Sequence, residues 1–133
     1  MKLFVESTVI VDYLNGVPAA DRVVETADEV LTSALCAFEA LVGEKIKMQK
    51  NRASKIEKAE SFFQDIGAVP FTLNDSKLAS DIYARMAHKG STVNTMDVLI
   101  AAQAVNRGLT VATKDKDFEV ISKFVELKLE LLK

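Results

Sequence analysis

Short apolar runs alternate with longer segments of helical periodicity along the chain. Runs at residues 3–5, 30–33, 68–71 and 109–113 predict short strands, and the segments between them predict helices. A last stretch at residues 125–131 alternates apolar and polar side chains, which predicts an edge strand with one face in water. Strands that alternate with helices favour an α/β fold, here a three-layer α/β/α sandwich with a mainly parallel sheet.

Capping residues set the expected helix starts. Ser7 or Thr8 is expected to cap the first helix, and Asn74 a later one. Asn94 or Thr95 should cap the helix that precedes the fourth strand. That helix is too apolar for a surface position and must be largely buried.

Residues 34–49 and 54–65 predict two helices that form a protruding hairpin beside the sheet. Apolar residues spaced for one face of the first helix predict a buried stripe, namely Leu35, Phe38, Val42 and Ile46. Glu39 falls within this stripe, where an unpaired carboxylate needs a cationic partner or a metal. Glu39 could instead lie at the edge of the stripe and reach water.

The bulk composition narrows the class of protein. The chain has 133 residues, which suits one domain over residues 1–133, and its net charge of −2 excludes a globally basic nucleic-acid binder. The single cysteine, Cys36, allows no internal disulfide and suits a reducing cytoplasm. No apolar run approaches the ~20 residues of a membrane span, and Glu6 comes too early for a signal peptide. We therefore expect a cytoplasmic protein with no membrane partner.

Acidic residues follow the predicted strands. Glu6 comes directly after the first strand, and Asp115 and Asp117 follow the fourth. Asp97 lies in the first turn of the buried helix before that strand. Ligands bind outside the carboxyl ends of parallel strands, and like charges brought together there repel unless a cation lies between them. Carboxylates suit Mg²⁺ or Mn²⁺ rather than zinc, so the sequence predicts a divalent-metal site.

Each of these acids also has an explanation without a metal. Asn94 followed by Asp97 resembles a capping box, and aspartates such as Asp115 and Asp117 are common in turns. Their joint occurrence at one edge of the expected sheet is what favours the metal site.

Four segments, taken in order, resemble the PIN-domain family: V-E-S-T-V-I-V-D-Y-L, T-S-A-L-C-A-F-E-A-L-V-G, N-T-M-D-V-L-I-A-A-Q-A and V-A-T-K-D-K-D-F. Within that family the chain is most similar to the VapC-type toxin nucleases of prokaryotic toxin–antitoxin pairs. The resemblance implies an α/β/α sandwich and divalent-metal-dependent endoribonuclease activity. By position, the catalytic acids it implies are Glu6, Glu39, Asp97 and Asp115. The metal ligands it implies are Glu6, Asp97 and Asp115, with Asp117 as an auxiliary ligand.

The resemblance also implies an RNA substrate, a small antitoxin protein as partner, and a homodimer. Thr8 matches the small polar residue that follows the first acid of the family. Lys114 and Lys116 flank Asp115 and are the candidates for RNA contact, whereas the lysines of the helical hairpin are expected to form a solvated face.

One residue departs from the family pattern, because Glu6 stands where the family normally has Asp. Mg²⁺ tolerates little error in its octahedral ligand geometry, so the longer side chain predicts a site that is slower or more dependent on Mn²⁺. Two other interpretations stay open. One is a PIN-like domain that has lost catalysis and binds only an antitoxin or RNA. The other is a phosphoryl-transfer domain such as a response-regulator receiver, which would need an acidic pair near the first strand.

Overall fold

A five-stranded sheet lies at the centre of the molecule, whose computed structural model describes residues 1–133. In chain order the strands β1 to β5 are Lys2–Val5, Glu29–Ser33, Ala68–Val69, Thr110–Thr113 and Lys128–Leu131. Their spatial order is β3-β2-β1-β4-β5, and every neighbouring pair is parallel. The predicted parallel α/β fold is confirmed, with the first strand at the centre of the sheet and the last at an edge.

Helices connect the strands and flank the sheet. In chain order, α1 to α7 are Ser7–Leu14, Pro18–Thr26, Ala34–Gln49, Ile56–Ile66, Leu73–His88, Thr95–Arg107 and Asp117–Ile121. Helices α3 and α4 pack against each other as the predicted hairpin, and α5 packs along α6. None of the helices is long and apolar enough to cross a membrane.

The core is built on β1 and α6, as the apolar pattern predicted. Residues 3–5 of β1 are at most 1% exposed, and most of α6 is buried. Helix α6 ends at Gly108, whose left-handed backbone (φ 65°) closes the last turn. The N–H of Leu109 then donates to the carbonyl of Ala104 at 3.0 Å, so the chain turns directly into β4.

The predicted buried stripe of α3 is wrong at Phe38 and Ile46, whereas Leu35 and Val42 are half-buried. Phe38 is 61% exposed and Ile46 is 49% exposed, whereas Cys36, Ala40 and Glu44 are buried. The helix carries apolar residues on more than one face, and the face with Cys36, Ala40 and Glu44 is the one that packs inward. Large apolar side chains are left on the outer face, so Glu39 lies beside exposed residues and is only half-buried.

Two helices begin at residues other than those predicted. The N-cap of α1 is Glu6, whose side chain accepts a hydrogen bond from the N–H of Thr8 at 3.2 Å. The N-cap of α5 is Thr72 rather than Asn74, and it forms a capping box with Asp75. Helix α6 begins after Asn94, which is one of the two caps predicted for it.

Candidate metal site

The candidate site lies where the carboxyl ends of β1 and β4 meet the start of α6. Val5 is paired with Ala112 in the sheet, and the N–H of Glu6 donates to the carbonyl of Ala112 at 3.0 Å. The two strands therefore end at the same level. This alignment places Glu6 next to the turn that follows β4, which carries Asp115.

Three aspartates form the centre of the site. Asp97, Asp115 and Asp117 each offer a carboxylate oxygen, and these oxygens lie within 4.8 Å of one another. Asp97 is 5% exposed, and its Oδ2 is a buried atom with no hydrogen-bond partner. Burial, together with the neighbouring acids Asp115, Glu6 and Asp117, raises the pKa of Asp97 to about 8. No lysine or arginine forms an ion pair with any of the three.

These residues fit a hard divalent cation. A buried carboxylate oxygen without a partner is costly, and neighbouring acids make the cost larger. A cation between the three carboxylates would satisfy Asp97 Oδ2 and neutralise the repulsion. The donors are all oxygens, as Mg²⁺ and Mn²⁺ prefer.

The Asp97 capping box that offered an explanation without a metal is not formed. The Asn94 side chain accepts from the N–H of Met96 at 2.9 Å, and the N–H of Asp97 donates to the backbone carbonyl of Asn94 at 3.0 Å. The Asp97 carboxylate is therefore not used to close the helix end.

Glu6 lies beside the three aspartates but outside their group. It is 3% exposed, and its carboxylate accepts hydrogen bonds from the Ser7, Thr8 and Thr113 hydroxyls, each at 2.6 Å. The predicted auxiliary residue Thr8 is thus bound to Glu6. A direct contact between Glu6 and the metal stays a prediction.

Glu39 reaches the site from α3. The Ser7 hydroxyl lies 3.1 Å from Glu39 Oε1 and 2.6 Å from Glu6 Oε2, so this one hydroxyl links the two acids. Burial raises the pKa of Glu39, the Ser7 hydrogen bond lowers it, and the charges of Glu6 and Asp115 raise it. The charges of the site therefore act on Glu39, although Glu39 is not one of the three clustered acids. Its predicted catalytic role stays a prediction.

The two lysines predicted to contact RNA have different surroundings. Lys114 Nζ forms an ion pair with Asp12 Oδ2 at 2.8 Å, whereas Lys116 is exposed and forms no ion pair. Both line a shallow pocket of about 480 Å³, together with Leu131, Leu132 and Lys133. The lysines of this pocket place positive charge next to the acidic site.

Sequence reasoning missed three polar residues that organise the site. Ser7 and Thr113 bind Glu6, and Asp12 binds Lys114. Thr113 was visible as a hydroxyl at the last position of a buried strand, directly before the acidic turn. Ser7 was considered only as a helix cap.

Cys36 is buried next to the site, and burial and the charges of Glu6 and Glu39 raise the pKa of its thiol. A thiol in these surroundings stays protonated, which fits a packing role.

The chain matches one protein family by sequence and several solved structures by fold. A family model described as PIN domain matches residues 3–123. No curated protein matches the sequence.

Several solved structures have the same fold at low sequence identity. VapBC2 from Rickettsia felis, bound to a DNA fragment from its promoter, is 18% identical over 100% of both chains, with a TM-score of 0.80. DNA-bound VapBC from Salmonella typhimurium is 20% identical over 98% of this chain and 97% of that one, with a TM-score of 0.78. VapC20 from Mycobacterium tuberculosis, a toxin that cleaves the sarcin–ricin loop, is 17% identical over 95% of this chain and 98% of that one, with a TM-score of 0.67.

Proposed function

This chain belongs to the PIN-domain family, and from that premise we propose that residues 1–133 form one divalent-metal-dependent endoribonuclease domain. We further propose that it is the cytoplasmic toxin of a VapBC-type toxin–antitoxin pair. Structural neighbours from such pairs support this, and one of them is a toxin that cleaves the sarcin–ricin loop.

The observation that carries the proposal is the unpartnered oxygen of Asp97. A buried acid that served only the fold would be paired, because an unpaired buried polar group costs free energy. Asp97 Oδ2 instead has no partner and lies in a group with Asp115 and Asp117. Such an arrangement is stable and useful when a cation completes it.

Mg²⁺ or Mn²⁺ would be held by Asp97, Asp115 and Asp117. Glu39 would act as the general base. When bound, the metal polarises a phosphoryl oxygen and lowers the pKa of a coordinated water. Glu39 Oε1 faces the Ser7 hydroxyl, and its other oxygen receives no hydrogen bond within the chain. That second oxygen is the atom we propose to accept a proton from the attacking water.

Lys116 and the neighbouring pocket supply the positive charge that a phosphate backbone needs. Lys116 is exposed and has no acidic partner, whereas Lys114 is already paired with Asp12. We therefore assign the first RNA contact to Lys116, and a contact with Lys114 requires that its bond to Asp12 opens.

The activity is tested by cleavage of a defined RNA with the parent protein and with Asp97→Asn, in Mg²⁺, in Mn²⁺ and in a chelator. Loss of one metal ligand should lower the cleavage rate by about 100-fold or more, because the metal supplies several kcal/mol of transition-state stabilisation. Asp81→Asn is the matched control, since Asp81 is exposed on α5. If the Asp97→Asn protein cleaves as fast as the parent, or if cleavage persists in chelator, the assignment is wrong.

We propose that the antitoxin covers the exposed apolar face of α3 and places a basic side chain among the acids of the site. Phe38 is 61% exposed and Ile46 is 49% exposed, which is unusual for such large side chains on one helix. An arginine can pair with two carboxylate oxygens at once.

Co-expression with the adjacent open reading frame should yield a stable complex without cleavage activity, and the mass of the complex would show whether two copies of this chain are present. A partner that leaves cleavage unchanged would contradict this role.

A further inference from the structure

The Glu6 carboxylate joins the start of α1 to the end of β4. It accepts hydrogen bonds from Ser7 Oγ and Thr8 Oγ1 at 2.6 Å, from Thr8 N at 3.2 Å and from Thr113 Oγ1 at 2.6 Å. An ionised carboxylate has about four lone-pair directions. Oε1 accepts three of these bonds and has no lone pair left for a metal, whereas Oε2 accepts only the bond from Ser7. Glu6 also lies outside the group of three aspartates.

The two threonine hydroxyls connect Glu6 to the turn that carries the site. Each hydroxyl donates its single proton to Glu6, and its oxygen then accepts a backbone N–H. Thr8 Oγ1 accepts from Lys114 N at 2.9 Å, and Thr113 Oγ1 accepts from Asp115 N at 3.0 Å. Because Glu6 takes both protons, both oxygens are left as acceptors for the turn.

The same turn orients the two aspartates that follow β4. The N–H of Asp117 donates to Asp115 Oδ1 at 2.9 Å, so the Asp115 carboxylate is held by the backbone of the same turn. The hydrogen bonds from Glu6 through Thr113 and Asp115 thus form a continuous path to the group of three aspartates.

We propose that Glu6 is a positioning residue that acts through Thr8 and Thr113 to fix the turn of Asp115 and Asp117, and that it does not bind the metal. This inference rests on the proposed metal-dependent function. It replaces the expectation of direct ligation by Glu6 and gives its longer side chain a role, since the carboxylate folds back onto α1 as the N-cap.

Thr113→Val provides the test, because it removes one hydroxyl and keeps every acid. Mn²⁺ binding to the full chain is measured by titration calorimetry without RNA. Loss of an outer contact of this kind costs about 10–100-fold in metal affinity, so we expect at least a tenfold weaker affinity. Thr113→Ser restores the hydroxyl and should bind like the parent. Thr110→Val, at the other end of β4, is the matched control and should also bind like the parent.

An unchanged or higher Mn²⁺ affinity with folded Thr113→Val protein overturns the inference. Direct ligation by Glu6 would also make Thr113 an outer contact, so whether Glu6 touches the ion is decided by the crystal structure described below. If the parent binds no Mn²⁺, the proposed function fails together with this inference. If the parent binds Mn²⁺ and only the effect of Thr113→Val is absent, the inference alone fails.

A second measurement does not depend on the folding of any variant. A crystal structure of the parent with Mn²⁺ should show the ion, located by its anomalous signal, on the three aspartates. Glu6 should keep its hydrogen bonds to Thr8 and Thr113. A Glu6 oxygen at ligand distance from the ion would overturn the inference.

Discussion

Two aspartates occupy the same position in consecutive helices and meet opposite surroundings. Asp75 is the third residue of α5 and Asp97 is the third residue of α6. They are 1% and 5% exposed, respectively. The positive end of the helix dipole favours a carboxylate at both places, so the local sequence does not separate them.

Every oxygen of Asp75 is paired. It accepts from the N–H of Thr72 at 2.9 Å, from Asn106 Nδ2 at 2.9 Å, and from both terminal nitrogens of Arg107 at 3.0 and 3.1 Å. Burial acts to raise its pKa, but Arg107, Asn106 and Thr72 outweigh burial and hold the pKa well below its usual range. Through Asn106 and Arg107, Asp75 connects α5 to α6.

Asp97 has no such partners, and acids surround it. The pKa of Asp97 is raised to about 8, first by burial and then by Asp115. Burial alone therefore does not mark a functional acid. The informative feature is whether the fold itself satisfies the buried carboxylate, because an acid left unsatisfied remains available to a ligand.

Asp75→Ala should have the largest effect on stability. This change leaves a largely buried Arg107 without its partner and removes the capping box, so the free energy of unfolding should fall by about 3 kcal/mol. Urea denaturation at pH 7 measures it. Asp81→Ala, on the exposed face of the same helix, should change stability by less than about 0.5 kcal/mol. A loss no larger than that of the control would show that the Arg107 pair does not stabilise the fold.

The pH dependence of the Asp75 contribution has a definite sign. Its folded pKa lies below its unfolded pKa, so its contribution is complete above about pH 4 and is lost as the pH falls. Asp75→Ala should therefore differ most from the parent near neutral pH.

A smaller effect of opposite sign is expected for Asp97→Asn in chelator. The folded pKa of about 8 lies above the unfolded value, so the parent loses stability as the pH rises from about 4 to about 8. The Asn variant lacks this loss and should be more stable than the parent by about 2 kcal/mol at pH 7.5, where each pKa unit is worth at most ~1.4 kcal/mol.

Urea denaturation of both proteins at pH 4.5 and 7.5 checks this expectation. Glu39 also has a raised pKa, but it is present in both proteins and cancels in the difference. If the stability difference between the two proteins is no larger at pH 7.5 than at pH 4.5, the folded state does not raise the pKa of Asp97.

The sequence was sufficient for the order of elements and for the edge of the sheet where the acids meet. Both follow from local patterns, since apolar runs define strands and strand ends define the site. The pattern could not decide which side of α3 faces inward, because several of its faces are apolar. The side of Cys36, Ala40 and Glu44 is buried, whereas the side with Phe38 and Ile46 is exposed.

The missed polar contacts depend on long-range pairing. Asp75 and Arg107 are 32 positions apart, so no local pattern joins them, although Thr72 and Asp75 had capping-box spacing. Glu44 is likewise 6% exposed, and it accepts hydrogen bonds from Lys55 N, 11 positions away, at 2.5 Å and from Lys47 Nζ at 2.9 Å.

The contact between Glu6 and Thr113 spans 107 positions of the chain, and this span bears on how the protein is made. Strand β1 is synthesised first, yet its neighbour β4 begins only at Thr110, and two of the three aspartates come later still. Contacts so distant in sequence form late, because a long loop must close first. A nascent chain that has not passed Asp117 therefore has no complete site. For a protein proposed to cleave RNA, the proposed site is thus completed only near the end of synthesis.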